Sequence, residues 1–115
     1  MPKIYGRFYY KQTQNLNLLG EFSNYTTFRN HTESADINHT NDSEMKISPQ
    51  PFIGEYTATY QTDNEAYLLK LSISYKSNSN NSIFTLKWTD KSNKTVFEGE
   101  GFLVDNLLVG DYSGN

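Results

Sequence analysis

Apolar and polar side chains alternate with a period of two through the second half of the chain, the pattern of half-buried strands. In FIGEYTATYQ (52–61), Phe52, Gly54, Tyr56, Ala58 and Tyr60 share one face; Glu55, Thr57, Thr59 and Gln61 share the other. AYLLKLSISYK (66–76) sets Tyr67, Leu69, Leu71, Ile73 and Tyr75 against Lys70, Ser72 and Ser74. SIFTLKWT (82–89) sets Phe84, Leu86 and Trp88 against Thr85 and Lys87. KTVFEGEGF (94–102) and NLLVGDYS (106–113) follow, joined by a turn near Asp105 and Asn106. With links this short, consecutive strands are expected to pair as antiparallel hairpins, making a five-strand meander.

The first half repeats the theme less cleanly. KIYGRFYYK (3–11), LNLLGEFS (16–23) and YTTFR (25–29) read as strands. Residues 30–51 are polar and read as a long loop. A structureless loop of that length is uncommon in a compact domain, so a short strand is expected at 44–48, where Met45 and Ile47 alternate. No apolar run keeps a 3.6-residue period over three turns, so no helix is expected.

Four triplets tie the strands together: GRF (6–8), GEFS (20–23), GEYT (54–57) and GDYS (110–113). In each, glycine and aromatic share a face and the charge points the other way. A core-facing glycine weakens an isolated strand. It helps where a sheet bends sharply or a neighbouring ring must lie over the backbone. Repeated along the chain, that device predicts an all-β, antiparallel up-and-down meander closing into a small barrel of about eight strands. The charges of Glu21, Glu55, Glu100 and Asp111 then face solvent, not a shared acidic ligand row.

Composition supports that fold and narrows the function. The 115 residues make a single domain over 1–115, and aromatics are 15% of them, with nine Tyr and seven Phe. Asn and Ser cluster in KSNSNNS (76–82) and DKSNK (90–94), which read as loop tips. A net charge of −3 speaks against a nucleic-acid partner, which needs a basic face. No stretch approaches 18 apolar residues, so no membrane span is expected. The start, MPKIYGRFYY, does not read as a signal peptide, and there is no cysteine. The cytoplasm is the default compartment, with export left open. Six Asn-x-Ser/Thr triplets, at Asn24, Asn30, Asn38, Asn41, Asn80 and Asn93, read as composition rather than glycosylation sites.

Reactive chemistry has little to stand on. The densest set of ligand types is His31, Glu33, Asp36, His39, Asp42 and Glu44, but its spacing fits no metal motif. No nucleophile elbow, phosphate loop or facing carboxylate pair is present in the pattern. The expectation is a non-enzyme with no metal and no cofactor.

In the second half, Gly54/Tyr56, Tyr67/Leu71/Ile73, Phe84/Leu86/Trp88, Phe97/Gly99/Gly101 and Leu107/Val109/Gly110 together resemble bacterial lipocalin-like and avidin-like β-barrel domains. The resemblance spans residues 52–113 and implies a barrel with a small-molecule site in its mouth. The first half lacks the biotin-site pattern of avidins, so biotin is not implied. On this reading the ligand-facing residues are Tyr56, Tyr60, Tyr67, Tyr75, Phe84, Trp88 and Phe97.

The residues themselves leave two readings open. Seven rings crowd an eight-stranded barrel, which has room to be filled or to hold one small ligand. Yet several inward tyrosines need hydrogen-bond partners, which suits a wet pocket or a ligand better than a dry core. A non-enzymatic binder of a small hydrophobic or aromatic molecule is the expected function. The alternative is a solid-core structural or protein-interaction module, and a homo-oligomer is compatible with either.

Overall fold

Strands form where the alternation is strongest, and they close on themselves. The computed structural model describes residues 5–24, 30–37, 51–61 and 65–114. Among these, eight strands run in chain order: β1 (Gly6–Gln12), β2 (Leu18–Asn24), β3 (Asn30–Ile37), β4 (Gly54–Gln61), β5 (Ala66–Tyr75), β6 (Phe84–Thr89), β7 (Thr95–Val104) and β8 (Leu107–Gly114). Each pairs antiparallel with the next, and β1 pairs with β8 to close the barrel. The expected all-β meander is present, and the described residues contain no helix that could cross a membrane.

The triplets have the expected parity. Phe8, Phe22, Tyr56 and Tyr112 are buried, while Arg7 and Glu55 point outward and are exposed. Their glycines lie directly across from large residues on the neighbouring strand. Gly6 pairs with Tyr112, Gly20 with Tyr10, and Gly110 with Phe8. A methyl group at Gly6 would strike the carbonyl of Ser23 and the Tyr112 ring; one at Gly20 would strike the carbonyl of Tyr9 and the Tyr10 ring. Rings therefore fold over bare backbone, which lets the sheet curl tightly. Outside, Glu100 meets Lys76 at 2.7 Å and Glu98 faces Lys87 at 3.8 Å, both in half-exposed surface pairs.

Turn chemistry fits the connections. Asp105 and Asn106 both have positive φ, 51° and 70°, as a two-residue hairpin turn requires. Asn78, Asn80, Asn81 and Asn93 supply the left-handed positions of the two Asn/Ser-rich tips.

One segment differs from expectation. β3 occupies Asn30–Ile37, inside the stretch read as loop. Its inward positions are His31, Glu33 and Ala35, so a buried strand face carries two polar side chains and hides its periodicity. The expected strands at 25–29 and 44–48 lie outside the described residues.

The lower end of the barrel, where β1 turns into β2, is filled. Phe52 sits there 3% exposed, ahead of β4 rather than within it, and packs edge-on against Phe84. Its backbone is pinned on both sides: its N–H donates to Gln12 Oε1 at 2.8 Å, and its carbonyl accepts from the Tyr56 hydroxyl at 2.9 Å. Gln12 Nε2 in turn donates to the Tyr56 oxygen at 3.0 Å. These bonds hold Phe52 at φ 71°, a conformation unfavourable for a bulky side chain, and Gly54 at φ 150° lets the chain turn into β4.

Candidate ligand-binding site

The upper end of the barrel is open. A cavity of about 480 Å³ descends into it, within the range of small-molecule sites. Its walls follow from strand parity. The inward residues nearest the upper rim are Phe8 of β1, Phe22 of β2, Tyr60 of β4, Leu69 of β5, Trp88 of β6 and Tyr112 of β8. Tyr67 stands higher on β5, 40% exposed, and stacks on its cross-strand partner Tyr60 at 5.1 Å.

An irregularity in the ladder widens the apolar wall. Trp88 pairs with Phe97 and Thr89 with Thr95, so Val96 is an extra residue on β7. Such a bulge re-aims consecutive side chains, and Val96 and Phe97 both line the cavity. Across from them Trp88 lies among Phe8, Phe97 and Tyr112 with ring centroids 5.8, 6.4 and 6.0 Å away.

The cavity floor carries a carboxyl. Glu33 projects inward from β3, 6% exposed, and Trp88 Nε1 donates across the barrel to its Oε2 at 3.2 Å. Burial pushes this carboxyl from 4.5 up to about 7, with the nearby Tyr10 hydroxyl and the indole N–H pulling the other way. Tyr10 is fully buried beside it, and burial together with the acid's charge drives its phenol well above the ordinary range. The Tyr10 oxygen is close enough to feel Glu33, yet it makes no hydrogen bond with any described residue. Burial likewise raises Tyr60, to about 12. Tyr10 and Tyr60 stay neutral at ordinary pH, whereas burial has moved Glu33 to where its charge can change.

A broader hollow of about 650 Å³ lies over β1 to β4, lined mainly by outward side chains such as Tyr9, Lys11, Leu19 and Thr59 and sharing the residues Glu33 and Tyr60 with the interior cavity. It is a surface groove open to solvent. The interior cavity is the better candidate because its walls are rings and its floor holds a desolvated acid.

The structure divides the seven residues expected to face a ligand. Tyr60, Tyr67, Trp88 and Phe97 gather around the cavity. Tyr56, Tyr75 and Phe84 lie at the filled lower end, where Tyr75 packs on Phe84 at 5.1 Å and Tyr56 is tied to Gln12 and Phe52. Sequence reasoning missed Tyr5, Phe8, Phe22, Leu69 and Tyr112 as lining residues and Glu33 as the floor. The signal for Glu33 was its parity with His31, Ala35 and Ile37. Of the acids and histidines between 31 and 44, His31 and Glu33 point inward and Asp36 is exposed on the outer face; His39, Asp42 and Glu44 lie outside the described residues. No group of metal-ligand side chains converges among the described residues.

Compared with known proteins, the chain matches no family model, no curated protein and no solved structure.

Proposed function

We propose that this protein is a non-enzymatic barrel of lipocalin-like or avidin-like kind that binds a small hydrophobic or aromatic molecule in its open end. The observation that carries the reading is the 480 Å³ ring-lined cavity inside a barrel whose other end is closed. A filled interior would have no use for such a hollow, and empty apolar space forfeits contact energy. Rings on several sides suit a flat ligand, and the few polar groups at floor and rim would orient it.

A second reading, an interaction module acting through its surface, is favoured by the exposed apolar run Phe102, Leu103 and Val104 at the β7–β8 hairpin. Titration with the neutral fluorescent probe N-phenyl-1-naphthylamine separates the two. A cavity binder takes up one probe per barrel, and Leu69→Trp, which fills the hollow, abolishes uptake while the fold is retained by circular dichroism. Uptake that is absent, or indifferent to Leu69→Trp but lost in Phe102→Ser, favours the surface module.

A further inference from the structure

The charge in the cavity is one-sided. Among the described residues that line it, the charged ones are Glu33 at the floor and Asp90 at the rim; no Lys or Arg is among them. Asp90 is partly occupied by its own turn, where Oδ1 accepts the backbone N–H of Ser92 at 2.9 Å and of Lys94 at 3.0 Å. Glu33 Oε2 accepts one bond from the neutral indole of Trp88, and the fully buried Tyr10 hydroxyl beside it is a second neutral donor that favours the charged form. An ionised carboxyl there has neutral donors but no cationic partner among the described residues that line the cavity.

The surfaces above it point the same way. Phe8, Phe22, Tyr60, Trp88 and Tyr112 present rings around the space over Glu33, and ring faces carry the negative lobes of the aromatic quadrupole. Ring faces attract cations. A carboxylate at the base of an aromatic cup is complementary to a positively charged nitrogen with apolar substituents. A ligand acid would meet Glu33 and Asp90 with like charge.

Resting on the reading of the cavity as a binding site, we propose that its ligand is a small organic cation, an amine or protonated nitrogen heterocycle, whose N–H donates to Glu33 and whose apolar part fills the ring-lined mouth. The ligand supplies the charge partner that the described protein groups withhold, and Trp88 keeps the carboxyl aimed at it.

Proton linkage follows from this geometry. The titratable groups around Glu33 are Tyr10 on β1, Tyr60 on β4 and Tyr112 on β8, with His31 next along the inner face of β3 and Asp90 at the rim. Binding of a cation selects the charged carboxylate, which burial disfavours in the free protein. Affinity for an amine should therefore rise about tenfold between pH 6 and pH 8, and affinity for a neutral isostere should stay flat.

Isothermal titration calorimetry of the whole protein with 2-(2-naphthyl)ethylammonium and with 2-(2-naphthyl)ethanol tests the proposal at pH 6, 7 and 8. In the wild type at pH 8 the amine should bind about tenfold or more tighter than the alcohol. In Glu33→Gln the preference for the amine over the alcohol and its pH slope should largely vanish. Equal affinities in the wild type, or a preference and slope that survive intact in Glu33→Gln, overturn the cation and leave the binding cavity standing, because the alcohol still binds. Binding of neither compound at millimolar concentration overturns both. The wild-type pair decides the matter even if Glu33→Gln fails to fold.

Discussion

A carboxyl enclosed by rings holds its proton more tightly than one in water, and at Glu33 the consequence reaches folding stability. The group titrates near 4.5 when solvated and is pushed up to about 7 by burial in the folded barrel. Between those values the folded state binds the proton that the unfolded state has lost. The stabilisation linked to this proton is therefore complete below pH 4.5, declines as pH rises, and is gone above about pH 7. A shift of that size corresponds to roughly 3 kcal/mol. Gln at this position can still accept the Trp88 N–H bond, and it never ionises. Glu33→Gln should thus match the wild type near pH 4.5 and exceed its stability by up to about 3 kcal/mol at pH 8. Urea unfolding of both proteins from pH 4.5 to 8.5 measures the difference directly, with other titrating groups cancelling. Parallel curves for the two would mean that the acid is well solvated in the native barrel.

At the scale of elements, strands were legible in proportion to how apolar their inner face is. β4, β5, β6 and β8 alternate cleanly, because Tyr56, Leu71, Leu86 and Leu108 occupy inward positions; β7, with its bulge at Val96, does not, yet the order and hairpin pairing of all five could be read directly. β3 could not, since a strand that points His31 and Glu33 inward violates the rule that defines a strand by its buried face. The candidate site shared that fate: its rings were partly found, but its floor lies on the strand that was missed. The lower plug was also illegible, because it depends on contacts between Gln12 on β1 and Phe52 forty residues later. That contact yields a sharp expectation. Gln12→Ala leaves the Phe52 N–H without its acceptor and the Tyr56 hydroxyl without its donor, and should cost about 2 kcal/mol. Tyr56→Phe alone should cost about 1 kcal/mol, and the double variant should cost clearly less than the sum, since the three residues form one network. Strictly additive losses in urea unfolding would show that the bonds act independently, and losses near zero that packing alone holds the plug.

For the whole molecule, the barrel divides its single interior between two tasks. Its lower half is closed by Phe52 packed on Phe84, which packs in turn on Tyr75, and burial there contributes to stability. Its upper half keeps rings apart around a hollow, an arrangement that forgoes some packing and makes sense if another molecule completes it. Rings of one composition therefore answer differently to truncation according to height. Tyr67 stands at the rim, stacked on Tyr60 with its hydroxyl donating to Glu65 Oε1 at 2.7 Å, so Tyr67→Ala should lower stability by less than about 1 kcal/mol. The same change should weaken binding of the naphthyl probes several-fold, since it strips one wall from the mouth. Phe84→Leu, 2% exposed in the native barrel, should lower stability by about 1–2 kcal/mol and leave the affinity of the folded protein unchanged. Urea unfolding and probe titration on the two variants give four numbers. If Tyr67→Ala proves the more destabilising, or if Phe84→Leu alters affinity as much, the interior acts as one undivided core. The crossed pattern places recognition at the top and structure at the bottom.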